Sequence, residues 1–186
     1  MVDASVFEPY QPEPSGRRLP TEMVHIRDGV LADVPACVGL VESVLKLDPA
    51  PWEQSLTASI TDPQRMLHVA EDAGQITGYA RSTFWTRPPD APANAAPSGW
   101  YLLGLVVAPE YRRRGIGRAL TVARLSALAS RTSEVWYFAN ARNQSSLDLH
   151  ATLGFVEVTR DFWFPDLTFD GGEGVLARAR FDDTSS

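Results

Sequence analysis

Two different spacings of hydrophobic residues alternate along this chain. Short apolar or alternating runs bounded by turn residues predict strands. These runs are Val24–Arg27, Arg65–Glu71, Gln75–Trp85, Trp100–Ala108, Glu134–Ala139, Val156–Phe164 and Val175–Phe181. Apolar residues three and four positions apart predict helices. These helices are Asp33–Leu45, Trp52–Thr61, Gly117–Ser130 and Ser145–Leu153.

Turn and cap residues define several boundaries between these elements. Asp33 is placed to cap the first helix. The sequence Asp72-Ala73-Gly74 predicts a tight turn that joins two strands into a hairpin. The segment Arg87–Ser98 contains four prolines and predicts a loop. Gly154 ends the last helix and places Phe155 to pack back on it.

The order of the elements predicts an α/β fold with a mixed sheet. The strand-helix-strand run from Trp100 to Ala139 is long enough to connect parallel neighbours. We therefore expect a sheet of about seven strands with helices on both faces. Residues 23–181 form the predicted single domain. Residues 1–22 carry four prolines and few branched apolar side chains, which predicts a flexible segment, and 182–186 form a tail.

Composition and charge narrow the classes of function. The net charge is −6, which disfavours binding of nucleic acid by the protein as a whole. No apolar run reaches the roughly 20 residues that span a bilayer, and no signal peptide is apparent. The single cysteine, Cys37, is expected to be a buried hydrophobic residue on a helix. Together these features predict a cytoplasmic protein that contacts neither membrane nor nucleic acid.

One segment carries a charge opposite in sign to that of the whole chain. Between Pro109 and Arg131 there are six arginines and one acid, Glu110, so the segment carries a charge of +5. Its arginines are Arg112, Arg113, Arg114, Arg118, Arg124 and Arg131. This is the place in the chain where an anion would bind.

The loop within this segment has the features of a phosphate-binding site. Residues 112–117 follow a strand and a proline and run directly into a helix, whose first N–H groups lack intrahelical partners. Gly115 and Gly117 let the backbone approach an anion closely. Leu120 occupies the position where a dinucleotide-binding fingerprint requires a small residue, and the Gly-Lys-Ser/Thr of a nucleotide-triphosphate loop is absent.

These residues resemble motif A of the GCN5-related N-acetyltransferase (GNAT) superfamily, Arg/Gln-x-x-Gly-x-Gly/Ala. Arg112, Gly115 and Gly117 fill the defining positions. Downstream, the superfamily often has an Asn, a Tyr seven residues later, and Gly-Phe after three more. Here Asn143, His150 and Gly154-Phe155 stand at those positions. The resemblance covers Trp100 to Phe164 well, and the earlier half agrees in its order of elements.

The resemblance implies that acetyl-CoA is the cosubstrate and names residues that would bind it. The backbone of Leu105, Val106 and Val107 would pair with the pantetheine arm, while their side chains pack in the core. Asn143 would also contact this arm. The pyrophosphate would lie on the loop and the first turn of the helix, at Arg112, Arg113, Arg114, Gly115, Ile116, Gly117 and Arg118.

The resemblance further implies direct attack of an amine on the thioester, with no metal site. The family's usual proton donor to the leaving thiolate is a tyrosine, and here that position is His150; a histidine that only bonds a backbone carbonyl is an equal alternative. The base is open among Tyr101, where some relatives carry a glutamate, and Glu71, His68 and Glu173, reached through water.

Several questions of function stay open at this point. The acceptor is a small-molecule or peptide amine, and the protein could act alone or as a homodimer. Because His150 replaces the tyrosine and the strand glutamate is missing, a non-catalytic acyl-CoA-binding sensor or partner module is the alternative to an N-acetyltransferase.

Overall fold

A computed structural model describes residues 24–169 and 171–181. Seven strands form one sheet in the order β1-β2-β3-β4-β5-β7-β6. They are β1 Val24–Asp28, β2 Arg65–Asp72, β3 Gln75–Trp85, β4 Gly99–Val107, β5 Glu134–Asn140, β6 Val156–Thr159 and β7 Gly174–Arg180. The α-helices in the described ranges are α1 Val34–Leu40, α2 Ala50–Thr61, α3 Ile116–Leu128 and α4 Gln144–Ala151.

The mixed α/β sheet predicted from the sequence is confirmed. Strands β4 and β5 pair in parallel, with Trp100 opposite Val135. The β1–β2, β2–β3, β5–β7 and β6–β7 ladders are antiparallel. The predicted flexible segment 1–22 and the tail 182–186 lie outside the described residues. In the part of the chain that is described, no helix has both the length and the apolar character needed to cross a bilayer.

Contacts divide the chain into two compact units. The N-terminal unit comprises residues 24–83 and 103–124 of the described chain, and the C-terminal unit comprises the described residues of 84–102 and 125–181. Strands β3 and β4 and helix α3 contribute residues to both units.

In the N-terminal unit, strand β3 pairs with β2 and separates two helices. The predicted hairpin turn is present, because Ala73 and Gly74 both have positive φ angles, 48° and 83°, as a two-residue type I′ turn requires. Ala80 belongs to a buried cluster with Ile116 and Leu120 of α3. The next residue, Arg81, reaches α2. Successive strand residues point to opposite faces, so α2 and α3 cover opposite faces of this part of the sheet.

In the C-terminal unit, β5 runs between β4 and β7. Ala139 pairs with Val175 on one side, and aromatic rings of Tyr101, Phe138 and Phe164 pack together with centroids 4.9–6.0 Å apart. Helix α4 ends at Ala151, and the predicted Gly154 follows it in the left-handed conformation, with φ 87°. The N–H of Phe155 donates to the His150 carbonyl at 3.1 Å, which completes the glycine cap.

Two local predictions were wrong. The strand predicted over Val156–Phe164 ends at Thr159, because the chain leaves the ladder and Trp163 forms only an isolated bridge to Ala95. Asp33 does not cap α1 with its side chain. Its carboxylate instead accepts hydrogen bonds from the Val30 N–H at 2.8 Å and from Arg27.

Arg27 joins β1 to β2 and to the start of α1. Its Nη1 and Nη2 donate to the two Asp33 oxygens at 2.7 and 2.9 Å, and its Nε donates to Glu71 Oε2 at 2.8 Å. A two-point contact between guanidinium and carboxylate is among the stronger hydrogen-bonded pairs in proteins. The Arg27 guanidinium, with the Val30 N–H, holds the pKa of Asp33 below its ordinary value despite burial of the carboxyl group.

Replacing this carboxylate should weaken the fold in a pH-dependent way. We expect Asp33→Asn to lower the free energy of unfolding by about 1–3 kcal/mol at pH 7, since hydrogen bonds to a charged group are lost. Because the folded-state pKa is lowered, this stabilisation is complete above the unfolded-state value of about 4 and is lost as pH falls through the folded-state pKa. Urea unfolding of both proteins at pH 7 and near pH 3 measures it, with the exposed Asp90→Asn as control. A constant difference between these pH values would contradict the assignment.

Candidate functional site

The loop at residues 112–117 has a backbone shaped to receive an anion. Arg113 has φ 60° and Gly115 has φ 81°, so two left-handed residues are separated by a single residue, Arg114. Both are exposed, and helix α3 begins at the next residue, Ile116. Left-handed and right-handed residues in succession turn several N–H groups toward one side, and a helix start adds further N–H groups. A non-glycine residue at positive φ is uncommon and was not predicted for Arg113.

The arginine side chains of this segment divide into two kinds. The Arg112 Nε donates to the Val107 carbonyl at 3.0 Å, and the Arg114 guanidinium lies 4.9 Å from the Tyr111 ring centroid. Arg114 also donates to the Glu110 carbonyl. Arg113 and Arg118 are exposed. Arg112 and Arg114 thus help to fix the loop, and Arg113 and Arg118 extend into solvent.

The end of strand β4 packs as expected. Val106 is buried, at 3% exposure, and Leu105 and Val107 pack on the face covered by α3. Gly78 lies close to this strand, since a Cβ there would be 2.8 Å from the Val106 carbonyl oxygen. The side chains of residues 105–107 are therefore core residues, which leaves only their backbone for a functional role.

In the C-terminal unit, Asn143 caps helix α4. Its Oδ1 accepts a hydrogen bond from the Ser146 N–H at 3.1 Å. This role was not predicted, although an Asn three residues before a helical N–H is a strong cap signal. The predicted contact of Asn143 with a pantetheine arm remains a prediction.

His150 lies in the last turn of α4 against strand β5. Its ring stacks on the Tyr137 ring, with centroids 3.6 Å apart and planes within 9°, and Phe155 meets it edge-on at 5.2 Å. Nδ1 lies 2.8 Å from the Ser146 carbonyl oxygen. The Tyr137 hydroxyl donates to Ser146 Oγ at 2.7 Å. A carbonyl can only accept, so Nδ1 carries a proton and Nε2 is the nitrogen that can exchange one.

Three of the four candidate bases are engaged elsewhere. Tyr101 donates to the Pro97 carbonyl at 2.6 Å, and burial raises its pKa. Glu71 accepts from Arg27, and Glu173 accepts from Arg160 at 2.8 Å.

His68 also has a carboxylate partner, but burial lowers its pKa and favours the neutral imidazole near pH 7. Its Nε2 lies 3.3 Å from Asp28 Oδ1. A neutral imidazole can accept a proton directly.

The single cysteine and the metal-ligating residue types add no further candidate site among the described residues. Cys37 is fully buried on α1, as predicted, and burial raises the pKa of its thiol to about 12. Across residues 24–169 and 171–181, no three His, Cys, Asp or Glu side chains are grouped so that they could hold a metal ion.

A family model described as "Acetyltransferase (GNAT) family" matches residues 38–155, well over half of the chain. This chain belongs to the GNAT family. The membership of the GNAT family expected from the sequence is thereby confirmed.

Curated GNAT relatives match the chain over a limited stretch. A protein of Escherichia coli K12 named "[Ribosomal protein bS18]-alanine N-acetyltransferase" is 35% identical over 80 residues, which are 42% of this chain. The match covers 53% of that relative, so the chain spans about half the length of the curated relatives it matches. The protein of the same name from Shigella flexneri gives the same values.

Solved structures share the GNAT fold over most of the chain. A ribosomal-protein-alanine N-acetyltransferase from Brucella melitensis aligns with TM-score 0.64 and 24% identity, covering 84% of this chain and 99% of that one. An N-acetyltransferase from Thermoplasma acidophilum, in complex with coenzyme A, aligns with TM-score 0.62 and 15% identity, covering 85% and 99%. At these identities the likeness shows the fold.

The residues of this GNAT protein suit a coenzyme A pyrophosphate at the loop. The two left-handed residues Arg113 and Gly115 are exposed at the start of a 13-residue helix. Backbone N–H groups at such a helix start bind phosphate without any particular side chain. The exposed Arg113 and Arg118 side chains add positive charge beside them.

The hydrogen bond of His150 predicts which tautomer it adopts. In the neutral state the proton should sit on Nδ1, because Ser146 O accepts from that nitrogen. Long-range proton–nitrogen correlation spectra of histidine-labelled protein measure this directly, and His150→Gln assigns the signal among three histidines. A neutral His150 with its proton on Nε2 would contradict the geometry.

Proposed function

We propose that this protein transfers the acetyl group of acetyl-CoA to an amine nitrogen, with the loop at 112–117 holding the coenzyme's pyrophosphate. The observation that carries the proposal is the pair of left-handed residues, Arg113 and Gly115, at the start of α3 in a GNAT chain. Acetyl-CoA supplies an acyl group activated as a thioester. The chain's own residues bind and orient it and move protons.

The end of β4 is the proposed binding edge for the rest of the cosubstrate. Leu105, Val106 and Val107 would pair through backbone groups with the amides of the pantetheine arm. A backbone N–H at Leu105 or Val106 would donate to the thioester oxygen, where negative charge develops during attack. Asn143 would add a contact to the arm through its amide group, since only its Oδ1 is used by the cap of α4.

His150 is the proposed donor of the proton that the departing sulfur needs. With Nδ1 bonded to Ser146 O, the ring orientation is fixed and Nε2 is the nitrogen that would deliver the proton. The stacked Tyr137 ring restrains the same orientation. Restrained orientation is what a general acid requires in order to act on one atom.

His68 is the proposed acceptor of the proton that the amine loses. Its neutral state near pH 7 suits a base, whereas Glu71 and Glu173 are ion-paired with arginines and Tyr101 is bonded through its hydroxyl. A water molecule would connect His68 to the amine. The acceptor is a small-molecule or peptide amine; the names of the curated relatives, which are alanine N-acetyltransferases of a ribosomal protein, favour an α-amino group.

A non-catalytic acyl-CoA sensor is the second candidate. The observation in its favour is the position of His150, which is 3% exposed, enclosed by Tyr137 and Phe155 and bonded to its own helix. A sensor would bind acetyl-CoA tightly and release no free thiol with any amine. A panel of amines, followed by the appearance of free coenzyme A thiol, separates this candidate from the enzyme.

Gly117→Glu should abolish acetyl-CoA binding and leave the fold intact. The new carboxylate would stand in the first turn of α3 and repel the pyrophosphate, besides filling its space. Isothermal calorimetry measures binding, and circular dichroism checks the fold. The control is Gly39→Glu, which places the same charge on exposed α1, where a Cβ has no neighbour within 4 Å. Wild-type affinity in Gly117→Glu would refute the loop assignment.

His150→Ala should lower kcat by at least about tenfold, because a positioned general acid contributes about a hundredfold or more and water replaces part of it. The Kd for acetyl-CoA should stay almost unchanged, and His150→Tyr should recover part of the loss.

Phe155→Leu is the matched control, since it disturbs the same ring cluster without removing a titratable group. Full activity in His150→Ala, or an equal loss in Phe155→Leu, would assign His150 a packing role.

A further inference from the structure

Ser146 is the point at which three neighbouring residues meet in the first turn of α4. Its N–H donates to Asn143 Oδ1 at 3.1 Å, and its carbonyl oxygen lies 2.8 Å from His150 Nδ1. Its Oγ accepts a hydrogen bond from the Tyr137 hydroxyl at 2.7 Å. The serine is therefore fixed through its backbone and through the oxygen of its side chain.

The hydrogen of the Ser146 hydroxyl has no acceptor within residues 24–169 and 171–181. The Tyr137 phenol is the more acidic of the two hydroxyls and donates in their bond, which leaves the Ser146 hydrogen for another group. A bond received by a hydroxyl oxygen also polarises its own O–H, so Tyr137 makes Ser146 a better donor. Ser146 is half-buried and Tyr137 is 4% exposed, so a ligand can reach the serine of this pair.

Ser146 lies between the two residues of α4 to which the proposed function assigns contacts with the cosubstrate. Residues three and four positions apart share one face of a helix, so Asn143, Ser146 and His150 follow one line along α4. The pantetheine arm is proposed to pass Asn143 at the start of this line. The sulfur that ends this arm is proposed to receive its proton from His150. Ser146 is therefore placed to meet the sulfur between these two contacts.

His150 does not offer the sulfur a hydrogen in both of its protonation states. In the neutral ring the proton belongs on Nδ1, against the Ser146 carbonyl, so Nε2 then has no hydrogen to donate. When the carbon–sulfur bond breaks, its electron pair stays on sulfur and negative charge develops there. A hydroxyl hydrogen at that point stabilises the charge in either state of the imidazole.

We propose that Ser146 is a further catalytic residue, whose Oγ–H donates a hydrogen bond to the departing coenzyme A sulfur, and that Tyr137 is a positioning residue that acts through it. This inference rests on the proposed function. Ser146 keeps its own proton throughout. The new bond joins the amine nitrogen to the acetyl carbon, the carbon–sulfur bond breaks, and the proton that ends on sulfur comes from His150.

Ser146→Ala should lower kcat for acetyl transfer by about tenfold or more, because a donor to the developing charge is lost. The Kd for acetyl-CoA should change by less than about threefold, since a thioether-like sulfur is a weak acceptor before the bond breaks. Ser146→Thr keeps the hydroxyl and should retain much of the activity. The matched control is Ser145→Ala, the same change one residue earlier, at an exposed position on a different face of α4.

Tyr137→Phe removes the hydroxyl that orients Ser146 and should lower kcat by a smaller factor. In the Ser146→Ala background the same change should have no further effect on kcat, because a positioning residue acts only through the group that it orients. Additive losses in the double variant would instead assign Tyr137 to the packing of α4 on β5 and overturn its positioning role.

Binding of the product gives a second readout that needs no turnover. Coenzyme A and desulfo-coenzyme A, which has a hydrogen in place of the thiol, differ only at the sulfur. At pH 9 an alkyl thiol with a pKa of about 8.5 is largely thiolate. Calorimetry at this pH gives the ratio of the desulfo-coenzyme A Kd to the coenzyme A Kd. This ratio should be about tenfold larger in wild type than in Ser146→Ala, as a hydrogen bond to a charged group predicts. Ser145→Ala should keep the wild-type ratio.

Wild-type kcat in Ser146→Ala, or the same Kd ratio in both proteins, would overturn the proposal, because Ser146 would then have a structural role in α4. An equal loss of kcat in Ser145→Ala would do the same. Absence of turnover with every amine would reject the proposed function, and the Kd ratio would still decide whether Ser146 contacts the sulfur. If Ser146→Ala does not fold, Tyr137→Phe gives the same comparison of kcat and of the Kd ratio with wild type.

Discussion

The candidate site depends on how β4 is tied to the loop that follows it. The Val107 carbonyl accepts from Arg112 Nε at 3.0 Å, and the Ala108 N–H donates to the Thr77 carbonyl at 2.9 Å. These contacts fix the place where the chain leaves the sheet. Two left-handed residues, Arg113 and Gly115, then follow before α3 begins. An anion site made from backbone needs this fixation, since its donors have no side-chain freedom with which to adapt.

Much of the fold was predictable because it follows from local patterns. The two-residue hairpin at Ala73 and Gly74, the glycine cap at Gly154 and the strand-helix-strand around the loop all have short-range signals. The overlong strand at Val156–Phe164 was wrong for the opposite reason. Apolar residues there pack with an aromatic cluster outside the ladder, as Phe164 does against Phe138 at 4.9 Å. The spacing of apolar residues does not distinguish burial within a strand of the sheet from burial in a cluster outside it.

The candidate site was predicted only in part. The loop residues were predicted from their own pattern and His150 from the GNAT resemblance, whereas the buried surroundings of Arg81 could not be predicted, because they depend on contacts over long separations. Ser55 is 26 residues earlier and Gly104 lies on another strand. An arginine in the middle of a strand carries no sign of its partners in the sequence alone. Buried charge without compensation becomes visible only when the neighbours are known.

Position 150 shows how one substitution changes the requirements on its surroundings. A tyrosine has a single hydroxyl, but a neutral imidazole has two nitrogens of which only one carries a proton. The surrounding hydrogen bonds determine which nitrogen that is. Helix α4 does so with its own Ser146 carbonyl, and Tyr137 of β5 supplies a flat surface for the ring. The contacts that pack the ring therefore also select Nε2 as the nitrogen through which the proposed proton transfer would occur.

The close approach of Gly104 to Arg81 also limits how this protein can evolve. A methyl group at position 104 would need both a left-handed backbone and the space now used by the guanidinium. Position 104 can therefore accept a larger residue only after position 81 has become shorter, and the order of the two changes matters. Loss of Arg81 would free the space beside position 104, while the left-handed backbone would continue to favour glycine there. The residues at positions 81 and 104 should accordingly covary across related sequences.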